Sequence, residues 1–291
     1  MLALSVCLAL LAAVGNAAAS VLQRRAAADA GPAGTAVRGW WPGLVRRRVW
    51  VWGAVMLGLS GVFQALALAT GPLAVVQPVM STELLFTLVL GGVVFRRSPD
   101  RRTWWAFGAM AAGLAAFLAL AEPSGGRATV PAADWLWAGV AIGAVAVGLV
   151  VVASRLPPPS APRAAVLGTA TAMGFSATAA LLKDALGRLP DGLGAVFGTW
   201  QLYAAVAVGL TSFLLLQVTF RAGTLAASQP ALTLGDALLS VVLGVWLFDE
   251  RVVVGVRGVF EAVAVAVLVV ACVQLARSPL VTGGEEGDGT W

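Results

Sequence analysis

Long apolar segments follow one another along this chain of 291 residues, and short polar or arginine-containing loops separate them. A helix of about 20 residues, rising 1.5 Å per residue, crosses the hydrocarbon core of a membrane. Only helices and closed barrels satisfy their backbone hydrogen bonds in lipid, and segments this long are helices. The pattern therefore predicts an all-α polytopic membrane protein with about nine transmembrane helices. The nine apolar runs, numbered in chain order, are 2–22, 49–69, 72–95, 103–121, 134–153, 163–183, 194–219, 223–248 and 253–276.

Two of these runs carry related sequences, each with an acid near its centre. Residues 71–92 read GPLAVVQPVMSTELLFTLVLGG, and residues 223–244 read GTLAASQPALTLGDALLSVVLG. A shift of 152 positions superimposes the two Gln-Pro pairs, and Glu83 and Asp236 then fall one position apart. A weaker similarity links run one with run six, in which Gly15 pairs with Gly174 at a shift of 159.

This repetition predicts how the chain is organised. The first repeat, runs one to four, occupies 1–121; run five and its loops link the halves over 122–162. The second repeat, runs six to nine, occupies 163–277, and an acidic tail, 278–291, is expected to be disordered. Equivalent runs lie five apart, an odd number, so the two four-helix repeats are expected to have opposite orientations in the membrane. Inverted repeats with a site at the midplane are a recurring transporter architecture.

Composition and charge agree with a membrane protein. Hydrophobic residues make up 59% of the chain and charged residues only 11%, far from the balance of soluble domains. The 19 basic residues lie mainly in loops, which excludes a basic nucleic-acid-binding face. Loops on one predicted side hold 14 of them and the other side holds 5, Lys183 included. The positive-inside rule places the first side in the cytoplasm, with the N-terminus outside and the C-terminus inside. Asp249 and Glu250, which follow run eight, are interpreted as interfacial charges.

An acid at the centre of a bilayer is costly, so Glu83 and Asp236 need a cavity, a partner or a cation. In the functional interpretation they line a midplane site. In the alternative, each is protonated and only joins neighbouring helices. Polar side chains that recur on one helical face with Asp236, or lie on neighbouring runs, are the candidate substrate contacts. These candidates are Gln229, Thr233, Ser240, Gln77, Asn16 and Gln64.

Carboxylate, amide and hydroxyl oxygens suit a hard cation such as Mg²⁺, which keeps several waters and uses one or two carboxylates. Glu83 and Asp236 are the candidate metal ligands, and they also suit proton coupling. We expect no resident cofactor, so Mg²⁺ would be a transported ion. Pro78 and Pro230 are candidate helix breaks near the site, although a proline in the first turns of a helix is an equal alternative. The chain has no histidine, which excludes histidine triads and imidazole metal sites, and no phosphate-binding GxxxxGK[ST] loop, so ATP-driven transport is not expected. We expect no enzyme activity.

The segments around the two Gln-Pro pairs resemble the drug/metabolite transporter (EamA-like) superfamily. The matching segments are ALALATGPLAVVQP at 65–78 and RAGTLAASQP at 221–230, the second running on to FDER at 248–251. Members usually have ten helices, and a count of nine with central carboxylates looks like the NIPA-type magnesium-transporter branch. The resemblance implies a secondary carrier whose substrate class is open.

The sequence thus predicts a multi-pass transporter of the bacterial plasma membrane that moves a small solute by alternating access around a midplane site with two carboxylates. Two alternatives remain, a Mg²⁺ or divalent-cation permease and a non-transporting membrane scaffold. The expected partners are the lipid bilayer, a small solute or cation, and a second copy of the chain in a homodimer. No nucleic acid is expected.

Overall fold

The structure is a computed structural model that describes residues 2–28, 48–94, 126–157, 160–222 and 225–250, with isolated helical positions between 101 and 116. Within these ranges the secondary structure is helical and includes no strand. A 3₁₀ helix, Leu189–Asp191, separates the sixth and seventh α-helices. In chain order the α-helices are α1 (Leu2–Ala28), α2 (Arg48–Thr70), α3 (Leu73–Met80), α4 (Glu83–Val94), α5 (Ala132–Arg155), α6 (Ala161–Leu186), α7 (Leu193–Phe197), α8 (Trp200–Ala222) and α9 (Leu225–Phe248).

Seven spans in the described part of the chain are long and apolar enough to cross a membrane. They correspond to seven of the nine predicted runs. Large apolar side chains also cover their outer surfaces, and on α5 Leu136 and Trp137 are 65% and 68% exposed. Because water would not tolerate so much exposed apolar surface, the protein is membrane-embedded. Run nine and the acidic tail lie outside the described residues, and run four is described only at isolated positions, so the count of nine helices stays a prediction.

Run three, predicted as one helix, is divided into α3 and α4 by a turn at Ser81 and Thr82. Pro78 lies within α3 and cannot donate a backbone hydrogen bond. The Ser81 and Thr82 hydroxyls donate to the carbonyl oxygens of Pro78 and Val79, at 2.6 and 2.7 Å. Such bonds compete with the helical ladder, so Glu83 becomes the first residue of a new helix.

The equivalent proline in the second half has a different effect. Helix α9 runs from Leu225 to Phe248 without a break at Pro230. Pro230 has no amide hydrogen, so one backbone hydrogen bond of the helix is missing. The hydrogen bonds on either side of it keep the helix continuous. Thr233 and Leu234 occupy the positions equivalent to Ser81 and Thr82, so only one hydroxyl remains to compete with the backbone.

Run seven also begins differently from the prediction. The short helix α7 ends at Phe197, and α8 begins at Trp200 after Gly198 and Thr199. Gly198 forms the C-cap of α7; its amide donates to the Gly194 carbonyl oxygen, and the Thr199 amide donates to the Val196 carbonyl oxygen. Glycine weakens a helix interior by about 1 kcal/mol relative to alanine, which favours the break here.

Helix α6 lies at the centre of the described bundle and is its most buried span, packed against α5, α8 and α9. Helix α1 packs against α2, α3 and α4, and α9 reaches across to α3. Glycines allow the closest of these approaches. A Cβ on Gly15 would lie 3.2 Å from the Ser60 Cβ on α2, and a Cβ on Gly174 would overlap the Ser212 hydroxyl on α8.

We expect Gly174→Leu to destabilise the protein by about 1–3 kcal/mol, because overpacking a close helix contact forces the helices apart. Gly143→Leu is the matched control, since nothing lies within 4 Å of a Cβ placed at Gly143 on α5. Thermal unfolding in detergent measures both variants. Equal melting temperatures for the two variants would contradict a tight α6–α8 contact.

Candidate functional site

The first central acid is held by α1. Glu83 begins α4 near the middle of its span, and it accepts a hydrogen bond of 2.6 Å at Oε2 from the Asn16 amide Nδ2. Asn16 lies near the middle of α1, and both side chains are partly buried. An amide that donates to a carboxylate makes a charge-assisted bond, about twice as strong as a neutral one. The contact fixes the Glu83 carboxylate at the middle of the bundle.

The second central acid has a corresponding arrangement on α6. Asp236 lies midway along α9 and accepts a hydrogen bond of 2.8 Å at Oδ1 from the Ser176 hydroxyl. The same hydroxyl lies 3.0 Å from the backbone carbonyl oxygen of Asp236. Each acid therefore has one polar partner on a neighbouring helix.

The other predicted site residues lie on α2, α3 and α9. Thr233 and Ser240 stand one turn before and one turn after Asp236 on α9. Ser240 is fully buried, and its hydroxyl has no hydrogen-bond partner among the described residues. Gln77 is buried on α3, and Gln64 is partly buried on α2. The side chains of Gln229 and Pro230 lie outside the described part of the structure.

Burying a hydroxyl without a hydrogen-bond partner costs about 1–3 kcal/mol of stability, so buried polar groups are usually paired. Ser240 therefore marks a place where a water molecule, an ion or a solute group could complete the hydrogen bonding. The oxygens of Asp236, Ser176 and Ser240 are of the kinds that suit a hard cation or a proton. The described residues contain no group of three or more His, Cys, Asp or Glu side chains that could hold a metal ion, so a bound cation would keep several of its waters.

A second polar cluster closes one end of the bundle. The Lys183 ammonium on α6 lies 2.6 Å from Glu250 Oε1 and 3.0 Å from the backbone carbonyl oxygen of Gly71. Glu250 follows α9 and is 2% exposed. The interpretation of Glu250 as an interfacial charge is wrong, since the folded chain pairs it with a lysine that sequence analysis had counted among the loop charges. Asp249 does remain exposed, beside Arg127.

A third cluster surrounds Asp184, which follows Lys183 on α6 and is fully buried. Its Oδ2 accepts hydrogen bonds from Trp135 Nε1 at 2.6 Å and Gln201 Nε2 at 3.0 Å. Its Oδ1 accepts from Arg188 Nη1 at 2.8 Å and from the Val130 amide at 3.2 Å. Four donors saturate this carboxylate, so it joins α5, α6 and α8 rather than offering a binding site.

Sequence reasoning missed Ser176, Lys183 and Glu250 as partners. The signal for Ser176 was present, because Asn16 and Glu83 have counterparts at nearly constant shifts. Ser176 follows Asn16 by 160 residues, and Asp236 follows Glu83 by 153. For the ion pair the available signal was the single lysine of the chain inside an apolar run, since an unpaired charge there is costly. Only the fold shows that its partner comes from beyond α9.

Comparison with known proteins adds one relative. The chain is 27% identical over 243 residues to an uncharacterized protein of Corynebacterium glutamicum, and the alignment covers 82% of each chain. No protein-family model matches the chain, and no solved structure matches it. The similarity extends across most of both proteins, so the relative is similar in length and in overall sequence.

Proposed function

We propose that this protein is a secondary membrane transporter that moves a small solute by alternating access around a site at the middle of the bundle. The observation that carries the proposal is the placement of Glu83 and Asp236. Both lie near the middle of membrane-spanning segments, and each is hydrogen-bonded to a different neighbouring helix. A carboxylate in such a dry region favours the binding of a cation or a proton.

The inverted-repeat organisation belongs to the same proposal. Asn16 holds Glu83 in the first half as Ser176 holds Asp236 in the second. The glycine contacts are also paired, because Gly15 meets Ser60 and Gly174 meets Ser212. These pairs are related by shifts of 159 and 152 residues, the shifts found in the sequence. Equivalent contacts in the two halves support repeats of the same fold, each contributing one acid.

The break between α3 and α4 supports a transport site as well. Transporters commonly bind their substrates where a membrane helix is interrupted near the midplane, because the interruption exposes backbone groups to a cavity. Glu83 follows such an interruption directly. Within the proposal Glu83 and Asp236 bind the coupling cation or proton. Gln77, Asn16, Gln64, Gln229, Thr233 and Ser240 contact the solute.

The membrane and orientation are proposed on the arginine distribution. With Lys183 buried in α6, one side of the membrane has 14 basic loop residues and the other has 4. The positive-inside rule then puts the N-terminus outside and the C-terminus in the cytoplasm of a bacterial plasma membrane. Nine spanning helices are part of this proposal.

The alternative function is a Mg²⁺ permease. The two carboxylates and the Ser240 hydroxyl, which has no partner within the described ranges, offer oxygen ligands, and Mg²⁺ is bound in proteins by one or two carboxylates with retained waters. In this alternative Glu83 and Asp236 contact the hydrated ion itself and Mg²⁺ replaces the organic solute.

Flux into proteoliposomes tests the proposal and separates the alternatives. One set of vesicles contains a Mg²⁺-sensitive dye, and another contains a pH-sensitive dye and receives amino acids, sugars and quaternary amines in turn. Solute-dependent proton movement favours the secondary carrier, and Mg²⁺ entry without a solute favours the permease. Correctly inserted protein that carries neither flux would contradict transport and favour the scaffold.

A further inference from the structure

The Lys183–Glu250 ion pair joins segments from the two proposed repeats. Lys183 lies on α6 and Glu250 follows α9, both in the second half, but the groups they contact next belong to the first half. Lys183 donates to the Gly71 carbonyl oxygen. The Glu250 carboxylate accepts hydrogen bonds from the backbone amides of Leu73 and Ala74, at 2.7 and 2.9 Å. The four interactions form one connected network across the boundary between the halves.

The Glu250 side chain fits this place closely. Gly244 on α9 lies against it, and a Cβ on Gly244 would overlap Glu250 Oε2 and come within 3.2 Å of the Ala74 amide nitrogen. The carboxylate also sits at the N-terminus of α3, where unpaired amides and the helix dipole favour a negative charge. The Lys183 ammonium lies 5.0 Å from the centre of the Phe248 ring, on a face that favours a cation. Both charges are therefore compensated while they stay together, and separating them would expose each to an apolar surrounding.

The network has no evident counterpart in the sequence of the first half. The repeat shift of 152 residues relates Glu250 to Ser98, which has no charge. The shift of 159 relates Lys183 to Arg24. A basic residue is thus repeated and its acidic partner is not. An inverted repeat puts these counterparts at opposite faces of the membrane, and in this alignment only the outer face has the acid.

We propose that Lys183 and Glu250 form a one-sided latch that holds the two repeats together at the outer end of the bundle and must open before the central acids can reach that face. The role of the latch in exposing the central acids rests on the proposed transport function. Whether this ion pair closes the outer end of the bundle can be measured without measuring transport.

The test measures how fast a charged, membrane-impermeant thiol reagent reacts with a cysteine placed at Ser240. Ser240 is fully buried and lies on α9 between Asp236 and the latch. The background carries Cys7→Ser and Cys272→Ser, which removes the two native thiols. Reagent is applied separately to each face of oriented vesicles. Glu250→Gln and Lys183→Gln are expected to raise the labelling rate from the outer face about tenfold or more, because each removes one charge of the pair.

Arg188→Gln is the matched control. It removes a charge at the same end of the bundle, but its ion pair with Asp184 joins residues four apart in sequence, both in the second half. Faster labelling in the latch variants and not in Arg188→Gln supports the latch. Unchanged labelling in the latch variants, or an equal rise in all three, would overturn it. Either result stands whether or not the protein transports a solute, so failure of the latch and failure of the transport function are distinguishable.

A second variant opens the latch without removing a charge. Gly244→Ala places a methyl group against the Glu250 carboxylate and is expected to raise labelling in the same way. Gly139→Ala is its control, because nothing lies within 4 Å of a Cβ at that position on α5. If the charge variants do not fold, this pair decides the question, and equal labelling in Gly244→Ala and Gly139→Ala would overturn the latch.

Discussion

Asp236→Asn is expected to lower the transport rate about 10- to 150-fold. A hydrogen bond or close contact with a charged group contributes about 1.5–3 kcal/mol, and about 1.4 kcal/mol corresponds to a factor of ten. Asparagine keeps the shape of the side chain and a partner for the Ser176 hydroxyl, so the loss reports the missing charge. Glu83→Gln is expected to have an effect of the same order. Initial rates in proteoliposomes, normalised to the amount of inserted protein, measure both.

Ser176→Ala separates positioning from direct binding. The serine orients Asp236 by a single hydrogen bond, so its removal is expected to lower transport by about 2- to 10-fold, less than the loss of the acid. Asp191→Asn is the control, because Asp191 is an exposed acid in the 3₁₀ helix and far from the middle of the bundle. A rate for Asp236→Asn equal to that of Asp191→Asn would show that Asp236 only joins helices.

The second large effect concerns stability. Asp184→Leu is expected to destabilise the protein by about 3–5 kcal/mol, because it leaves four donors around a buried position without their acceptor. Among them the Arg188 guanidinium would keep a charge that the substitution leaves uncompensated. The free energy of unfolding in mixed micelles measures the effect.

Asp191→Leu serves as the control for this substitution. It makes the same chemical change at the same end of the bundle, but at an exposed side chain. We expect it to change the free energy of unfolding by less than about 0.5 kcal/mol. If Asp184→Leu behaved like the control, the carboxylate would not be the structural centre of its cluster.

The lengths of the apolar runs predicted the seven described spans, because the bilayer imposes the length of a spanning segment and no tertiary information is needed. The sequence offered Pro78 and Pro230 as candidate helix breaks, but the turn that divides run three lies at Ser81 and Thr82, and α9 is unbroken at Pro230. Both halves contain a proline at the same place, and only the first is followed by two hydroxyl side chains that bond back to the backbone. Proline alone was therefore an insufficient signal, and the local competition for carbonyl oxygens decided which helix broke.

The site could be predicted in part. An acid inside an apolar run is costly in any fold, so Glu83 and Asp236 were evident from the sequence. Their partners were harder to identify, because Asn16 and Glu83 are 67 residues apart and Ser176 and Asp236 are 60 apart. The role of Glu250 depended on the fold altogether. A carboxylate that follows an apolar run usually lies at the membrane surface, and here the chain turns it back onto the start of α3.

The most direct measurement compares flux through the wild-type protein with flux through Glu83→Gln/Asp236→Asn in the same proteoliposomes. Mg²⁺ entry is followed first, and solute-dependent proton movement is followed next. The account predicts that wild-type protein carries one of these fluxes and that the double variant, folded and inserted to the same extent, loses it. Equal flux in the two proteins would contradict a site built on the central acids, and wild-type flux no greater than that of empty liposomes would contradict transport.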